Sequence, residues 1–549
     1  MKILRSNLTL RGAAKAASVF ALLTSTALTT GPAWAADTMQ LTKKIDTLED
    51  ELRSLKQQLE EMKATESSDK EAIAQEKATR EAKEDAAKKD ILDHGGHLVF
   101  VNGNSEAIPA SPPSGGVQNK NIKITFGGFI EAAGIYRNKN ETADIGSSFN
   151  SGAMFPNSSQ DHISEFRGTA RQSRLSILAD GDFDKYTHLS AYYEMDFLGA
   201  AASANPNESN SYQPRIRNIY ATIDRSDMGL HVLAGQNWSM LTLNKVGITP
   251  RTENAPIGIE AQYVVGFNWT RNPQVRLVKD WDKKWWLGIS AESPQAQISG
   301  TTPAGVVVNN AGSAQLGNGN NSTTPGTGQA LSIDPAPDII IKAAADPGYG
   351  HYELFGISRW YRSRIVAAGA NNTVNGLGMG GSAVLPVIPK MLDVQASFMI
   401  GDGMGRYGSG QLPDVTIDGS GHFHTIPYKS MLVGLVGHPD PMLDVYGYAG
   451  TEQLDKRYYT AGGNFGYGNP FSINDTGCLV EGGTCNGQTA RQYEVTGGFW
   501  YRFYKGSIGY MQFGIQDQYV KRYIFSSNAT PGPGAGINIA MFSFRYYPF

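Results

Sequence analysis

Four arginines, Arg171, Arg174, Arg215 and Arg217, fall in two short segments, ARQSRLSI (170–177) and RIRNIYATI (215–223). A guanidinium stays charged at physiological pH and presents a planar fork of donors, so several together make a fixed positive path for carboxylate or phosphate groups. Strand alternation sets Arg174, Ser176 and Asp180 opposite Leu175, Ile177 and Ala179, and Arg215 and Arg217, two residues apart, project to one side. Arg171 has the opposite parity to Arg174 and shares the path only if it precedes the regular strand or sits at a bulge. Arg362 and Arg364 form a second, weaker same-side pair. Glu194, Asp196 and Asp180 are available to neutralise these cations, so solute guidance and a stiffening salt-bridge network both stay open.

The other constellations are thinner. His422 and His424 would share a strand face but lack a third ligand by spacing, so no metal site is assigned. Asp402, Asp414, Asp418 and Asp440 reveal no acid/base pair. Gly376, Gly378, Gly380 and Gly381 lack the strand–helix–strand context of a dinucleotide loop and read as a turn or strand bend. Cys478 and Cys485 enclose LVEGGT in a Gly/Asn-rich segment, which suits a loop disulfide in an oxidising compartment better than a redox motif. No enzyme and no cofactor is expected. A net charge of only −3 argues against a nucleic-acid surface.

The elements that must position the arginines come next. Lys2, Arg5, Arg11 and Lys15, the apolar stretch from Ala16 to Thr30, and Ala33-Trp34-Ala35 read as a cleaved signal peptide over 1–35. Leu41, Ile45, Leu48, Leu52, Leu55, Leu59 and Met62, spaced alternately by four and three, form one helical seam, which predicts a periplasmic coiled coil over 36–90. Gly and Pro between His94 and Gln118 mark a flexible linker over 91–121.

From 122 to 549 the period changes to two. Leu189, Ala191, Tyr193, Met195 and Phe197 oppose His188, Ser190, Glu194 and Asp196; Leu392, Val394, Ala396, Phe398 and Ile400 oppose Asp393, Gln395 and Ser397. Tyr493, Val495, Phe499, Tyr501 and Phe503 oppose Glu494, Thr496 and Arg502, and Gly509, Met511, Phe513 and Ile515 alternate with polar or small neighbours. Gly266 to Trp269 leading into Arg271-Asn272-Pro273 read as a hairpin turn. Gly300 to Ala330 and Gly462 to Cys485 read as long exterior loops. No run of about 18 apolar residues follows the signal, which excludes membrane-spanning helices but not a barrel, where only alternate residues meet lipid. With 63 glycines, 25 tyrosines, 22 phenylalanines and an aromatic end at Phe542, Phe544, Tyr546, Tyr547 and Phe549, the expected fold is all-β. It is a transmembrane antiparallel β-barrel of about 16 strands, about 18 being the alternative count, preceded by an α-helical coiled coil. If apolar residues face lipid, Arg174 must face the lumen, because a lipid-facing arginine costs roughly 2–4 kcal/mol at mid-depth.

The chain resembles the DcaP-like outer-membrane porins. ARQSRLSI (170–177), DFLG (196–199), RIRNIYATI (215–223) and GQNWS (235–239) carry the resemblance, with the N-terminal seam in support. It implies a trimeric channel of about 16 strands for small, often negatively charged organic solutes, with Arg171, Arg174, Arg215 and Arg217 at the constriction. The large loops after Gly300 and around Cys478, and Arg545 in the terminal strand, depart from a tidy family pattern.

The resulting expectation is a passive outer-membrane porin for small hydrophilic solutes, favouring organic anions. Its partners would be those solutes, outer-membrane lipids, two further copies of the chain and, through the coiled coil, the periplasmic cell wall. A structural envelope-tethering barrel and a secreted carbohydrate-binding β-protein are the rival readings.

Overall fold

Leu175 and Ile177 point out of the sheet while Arg174 and Ser176 point in, and this alternation closes on itself around a ring of strands. The computed structural model describes residues 122–199, 213–307 and 333–549. It also describes the strand backbones of His97–Val101, Asn104–Ile108 and Gln118–Asn119, and Arg53, Ser54, Lys56, Gln57 and Glu60.

Sixteen long antiparallel strands form the wall. The first eight are β1 (Ile122–Arg137), β2 (Arg174–Asp182), β3 (Thr187–Asp196), β4 (Arg215–Arg225), β5 (Leu230–Trp238), β6 (Arg271–Trp281), β7 (Trp285–Glu292) and β8 (Asp338–Ala345). The rest are β9 (His351–Ile365), β10 (Ala370–Ile388), β11 (Leu392–Asp402), β12 (Pro427–Asp440), β13 (Leu443–Leu454), β14 (Thr489–Gly506), β15 (Gly509–Ile524) and β16 (Gly534–Tyr547). A short strand, Glu165–Thr169, pairs with the end of β1 and continues the line of β2. β16 pairs with β1, from Ile539 opposite Arg137 to Tyr546 opposite Ile130, so no sheet edge is left open.

At one end the connections run from two residues (441–442) to five (346–350); at the other they are long, except for 366–369. Asp282 and Lys283, both at positive φ, make one of the tight turns, in which Lys284 N–H donates to the Trp281 carbonyl at 3.0 Å. Short turns on one side and long loops on the other are the pattern of a membrane barrel.

The outer surface is apolar around the ring. Ile177, Leu189, Ile223, Leu277, Ile289, Ile341, Leu354, Phe398, Met431, Val495, Ile515 and Phe542 are all exposed. The inner surface is polar and buried: Glu194, Arg276, Glu292, Lys342, Glu353, Gln395, Glu452, Gln492, Gln516 and Gln518 are nearly inaccessible. An apolar rim outside and hydrogen-bonded polar groups inside is the reverse of a soluble sandwich. Arg545 fits this scheme, turning inward to hold Glu131 at 2.8 Å.

The inner surface meets protein rather than only water. Residues 239–270, between β5 and β6, fold into the barrel, with Met240, Leu241, Ile248, Ile259, Val264, Val265 and Phe267 buried. Their backbone amides donate to wall side chains: Met240 to Glu292 (2.8 Å), Asn244 to Glu353 (3.0 Å), Ile259 to Gln516 (2.6 Å), Val265 to Glu494 (2.9 Å) and Gly266 to Glu452 (2.8 Å). These acceptors stand on β7, β9, β15, β14 and β13, so the inner loop lies across the lumen.

Two expectations are corrected. Gly266 to Trp269 belong to the inner loop, and Arg271-Asn272-Pro273 open β6 rather than turn a hairpin. Pro273 is tolerated there because it needs no ladder donor, and its carbonyl accepts Ser293 N–H at 2.7 Å.

The second correction concerns the coiled coil. Among the described residues there is no α-helical element; the helical turns are short 3-10 turns at Gly152–Met154, Ser159–His162 and Gly405–Tyr407. The seam residues from Leu41 to Met62 lie outside the described residues, as do the signal segment 1–35 and 308–332, and the described residues between 53 and 60 are separate helical positions, too few for an element. A heptad seam needs a second helix to bury it, and the described residues supply none. The fold class is a closed sixteen-strand barrel, and the coiled coil and its periplasmic placement are withdrawn.

Candidate functional site: an arginine cluster beside the inner loop

β3 and β4 bring the arginines together. Asp196 pairs with Arg215 across the ladder and Glu194 with Asn218, and Arg217 is the extra residue of a bulge between Asn218 and Ile216. The bulge lets neighbouring inward side chains crowd one point. Arg215 grips Asp196 with two hydrogen bonds, of 2.9 and 2.7 Å. Arg217 reaches Glu194 at 2.6 Å, Asp196 at 3.0 Å and the Tyr263 hydroxyl of the inner loop at 3.2 Å. Arg174, on β2, stands 3.7 Å from Glu194 and stacks over Phe129 at 5.2 Å.

Arg171 is placed differently. It lies in the turn between Glu165–Thr169 and β2, so it does precede the regular strand. Its guanidinium donates to the carbonyls of Phe197 (3.0 Å) and Gly199 (2.7 Å) and stands 3.5 Å from Asp144, tying two long loops together. Arg362 and Arg364 are exposed on the outer face of β9 and bond to Thr373 and Asn371 of β10.

Sequence reasoning missed Arg271, the first residue of β6. Its guanidinium stacks over Trp238 at 4.8 Å, and Trp238 meets Tyr263 edge-on at 5.7 Å. Tyr263 records the charge around it: burial alone would raise its phenol, yet Arg217, Arg271 and Arg174 outweigh burial and hold it below its ordinary value. Counting Arg174, Arg215, Arg217 and Arg271 against Glu194 and Asp196 leaves two positive charges in excess. Parity gave no signal for Arg271, which alternates with Asn272, Gln274 and Arg276 and so falls with the exposed Val275 and Leu277; its contact with Trp238 at the end of the strand brings it to the inner loop.

Such an arrangement can attract and release anions; it offers no nucleophile. Among the described residues no group of three or more His, Cys, Asp or Glu could hold a metal, and His424 is engaged by Asp418 at 2.9 Å. Cys478 and Cys485 are joined by a disulfide in the loop 455–488. That loop is hydrogen-bonded to the first long loop through Asn157 N–H to the Cys478 carbonyl (3.1 Å) and Gly482 N–H to the Asn157 carbonyl (3.1 Å).

With this geometry in hand, solved structures offer a comparison. The barrel is similar to that of an outer-membrane channel. The outer membrane channel DcaP of Acinetobacter baumannii shares 18% identity with a TM-score of 0.57, over 79% of this chain and 99% of that one. OmpT of Vibrio cholerae (8% identity, TM-score 0.42, 78% of this chain and 99% of that one) and an anion-selective porin from Comamonas acidovorans (10% identity, TM-score 0.40, 78% and 99%) also match. No protein-family model matches the chain, and no curated protein matches it in sequence. The likeness to DcaP carries the fold, in agreement with the family resemblance read from the sequence.

Proposed function

We propose that this protein is a passive outer-membrane porin whose lumen admits small hydrophilic solutes and favours organic anions. One observation carries the reading: a closed barrel presents apolar side chains outward all round and buried polar groups inward, with an excess of guanidiniums beside a loop that narrows the path. A lumen cation lowers the entry barrier for an anion only if its grip is weak enough for release, so the expected behaviour is modest, salt-sensitive preference rather than retention. Transport of this kind involves no covalent chemistry and no cofactor. Assembly as a homotrimer, implied by the family resemblance, belongs to the same proposal and is checked by the mass of the detergent-solubilised complex.

Swelling of proteoliposomes tests the reading. Uptake of a small organic anion faster than of a neutral sugar of equal size supports it. Faster uptake of an organic cation contradicts the anion preference, and the absence of all swelling contradicts the porin, favouring a closed structural barrel instead.

A further inference from the structure

The four cations of the cluster are not equivalent. Arg215 is held by Asp196, Arg217 by Glu194 and Asp196 together, and Arg174 has Glu194 at 3.7 Å. A carboxylate already in place competes with any passing anion for the same donors, and the pair presents almost no net field at a distance. Arg271 differs. Among the described residues its side chain makes no hydrogen bond and no ion pair, its Nη1 is a buried donor without an acceptor, and its contact is the face of Trp238 at 4.8 Å. Nε of Arg174 is likewise a buried donor without an acceptor.

A guanidinium stacked on an indole keeps its edge N–H groups available, because the ring takes the flat face and not the donors. Leaving such donors unbonded is costly unless something that comes and goes fills them. Arg271 and Arg174 both act on Tyr263, the inner-loop residue that takes a hydrogen bond from Arg217, so the unfilled donors gather where the inner loop approaches the wall.

We infer that Arg271 is the residue that contacts the permeating anion and sets the channel's preference, with Trp238 holding its guanidinium in position and the Arg215 and Arg217 pairs serving as scaffold. The ligand class is a small oxyanion or halide, met by one or two N–H donors in the fork of Arg271. This inference rests on the anion guidance proposed above.

The test is the reversal potential of the purified full-length protein in planar bilayers under a potassium chloride gradient. Arg271→Gln lowers the chloride-to-potassium permeability ratio by about sevenfold, because removing one unit charge roughly 7 Å from the ion's path in a water-like dielectric disfavours chloride and favours potassium by about threefold each. Arg271→Lys keeps most of the ratio, because the charge remains. Deleting a neutralised pair with Arg215→Gln and Asp196→Asn changes the ratio less than Arg271→Gln does. If Arg271→Gln does not fold, as judged by loss of heat-modifiable mobility, Arg271→Met serves in its place. A wild-type channel without anion preference overturns the guidance reading itself. An anion-preferring wild type whose ratio survives Arg271→Gln, or falls as far with Arg271→Lys, overturns the role of Arg271 alone.

Discussion

A glycine on the wall is where the inner loop can be tested most sharply. A Cβ at Gly450, on β13, would overlap the carbonyl oxygen of Val265 and lie 2.9 Å from its carbonyl carbon. Either the wall or the loop must give. Gly450 is held in the ladder on both sides, opposite Leu432 and Glu494. The loop is held here by the Val265 and Gly266 amides on Glu494 and Glu452. Overpacking at one site costs about 1–3 kcal/mol, whereas pulling the loop away orphans two buried amides at about 1–3 kcal/mol each. The loop therefore stays docked in Gly450→Ala, which unfolds in urea with a loss of about 1–3 kcal/mol and near-native conductance. Adding Glu452→Ala and Glu494→Ala removes both acceptors, so the stretch around Val265 is released while the Met240, Asn244 and Ile259 amides keep the rest of the loop docked, and single-channel conductance rises. A Gly450→Ala protein of native stability, or a triple variant of native conductance, would refute the reasoning.

Three further outcomes follow from the same contacts. Ile289→Arg puts a charge on the exposed outer face of β7 and weakens insertion into vesicles by up to about 2–4 kcal/mol; folding yield against urea measures it, and an unchanged yield contradicts a lipid-facing surface. Cys478→Ser opens a closed loop whose cysteines are 7 residues apart, a loss of about 2.5 kcal/mol in the chain-entropy account; protease then cuts within 455–488 while the barrel keeps its heat stability. Glu141, in the loop 138–164, is pushed up to about 7 by burial, with Arg137 opposing. Between the ordinary carboxylate range and about pH 7 the docked loop holds a proton that the free chain releases, so docking weakens as pH rises through that window. Limited proteolysis across that range follows it, and Glu141→Gln flattens the slope; an unflattened slope contradicts the assignment.

Much of the wall was legible because the chemistry of a strand is local. Leu392 to Ile400, Tyr493 to Phe503 and Gly509 to Ile515 alternate in sequence and alternate in the barrel. Arg174 was legible for the same reason, its parity turning it from the lipid, whereas Arg215 and Arg217 share parity with the exposed Ile219 and Ile223 and are turned inward by the bulge at Arg217. The partners of those cations were visible as candidates, but which carboxylate each would choose depends on the register of β3 against β4 and on the bulge at Arg217. The inner loop was not legible. Gly266 to Trp269 read as the approach to a hairpin turn, and the inward course of the segment is set by acceptors on five distant strands. Arg271 was lost with it, because Asn272-Pro273 has the composition of a turn while long-range pairing with β5 makes it a strand. The heptad seam shows the opposite failure, a clear local pattern for which the described residues hold no partner helix.

The central claim is that a water-filled path runs inside this wall. Purified protein reconstituted from detergent into a planar bilayer tests it directly: the account predicts stepwise, ohmic conductance increments that favour anions at low salt. A bilayer that stays silent over properly folded barrels would contradict it.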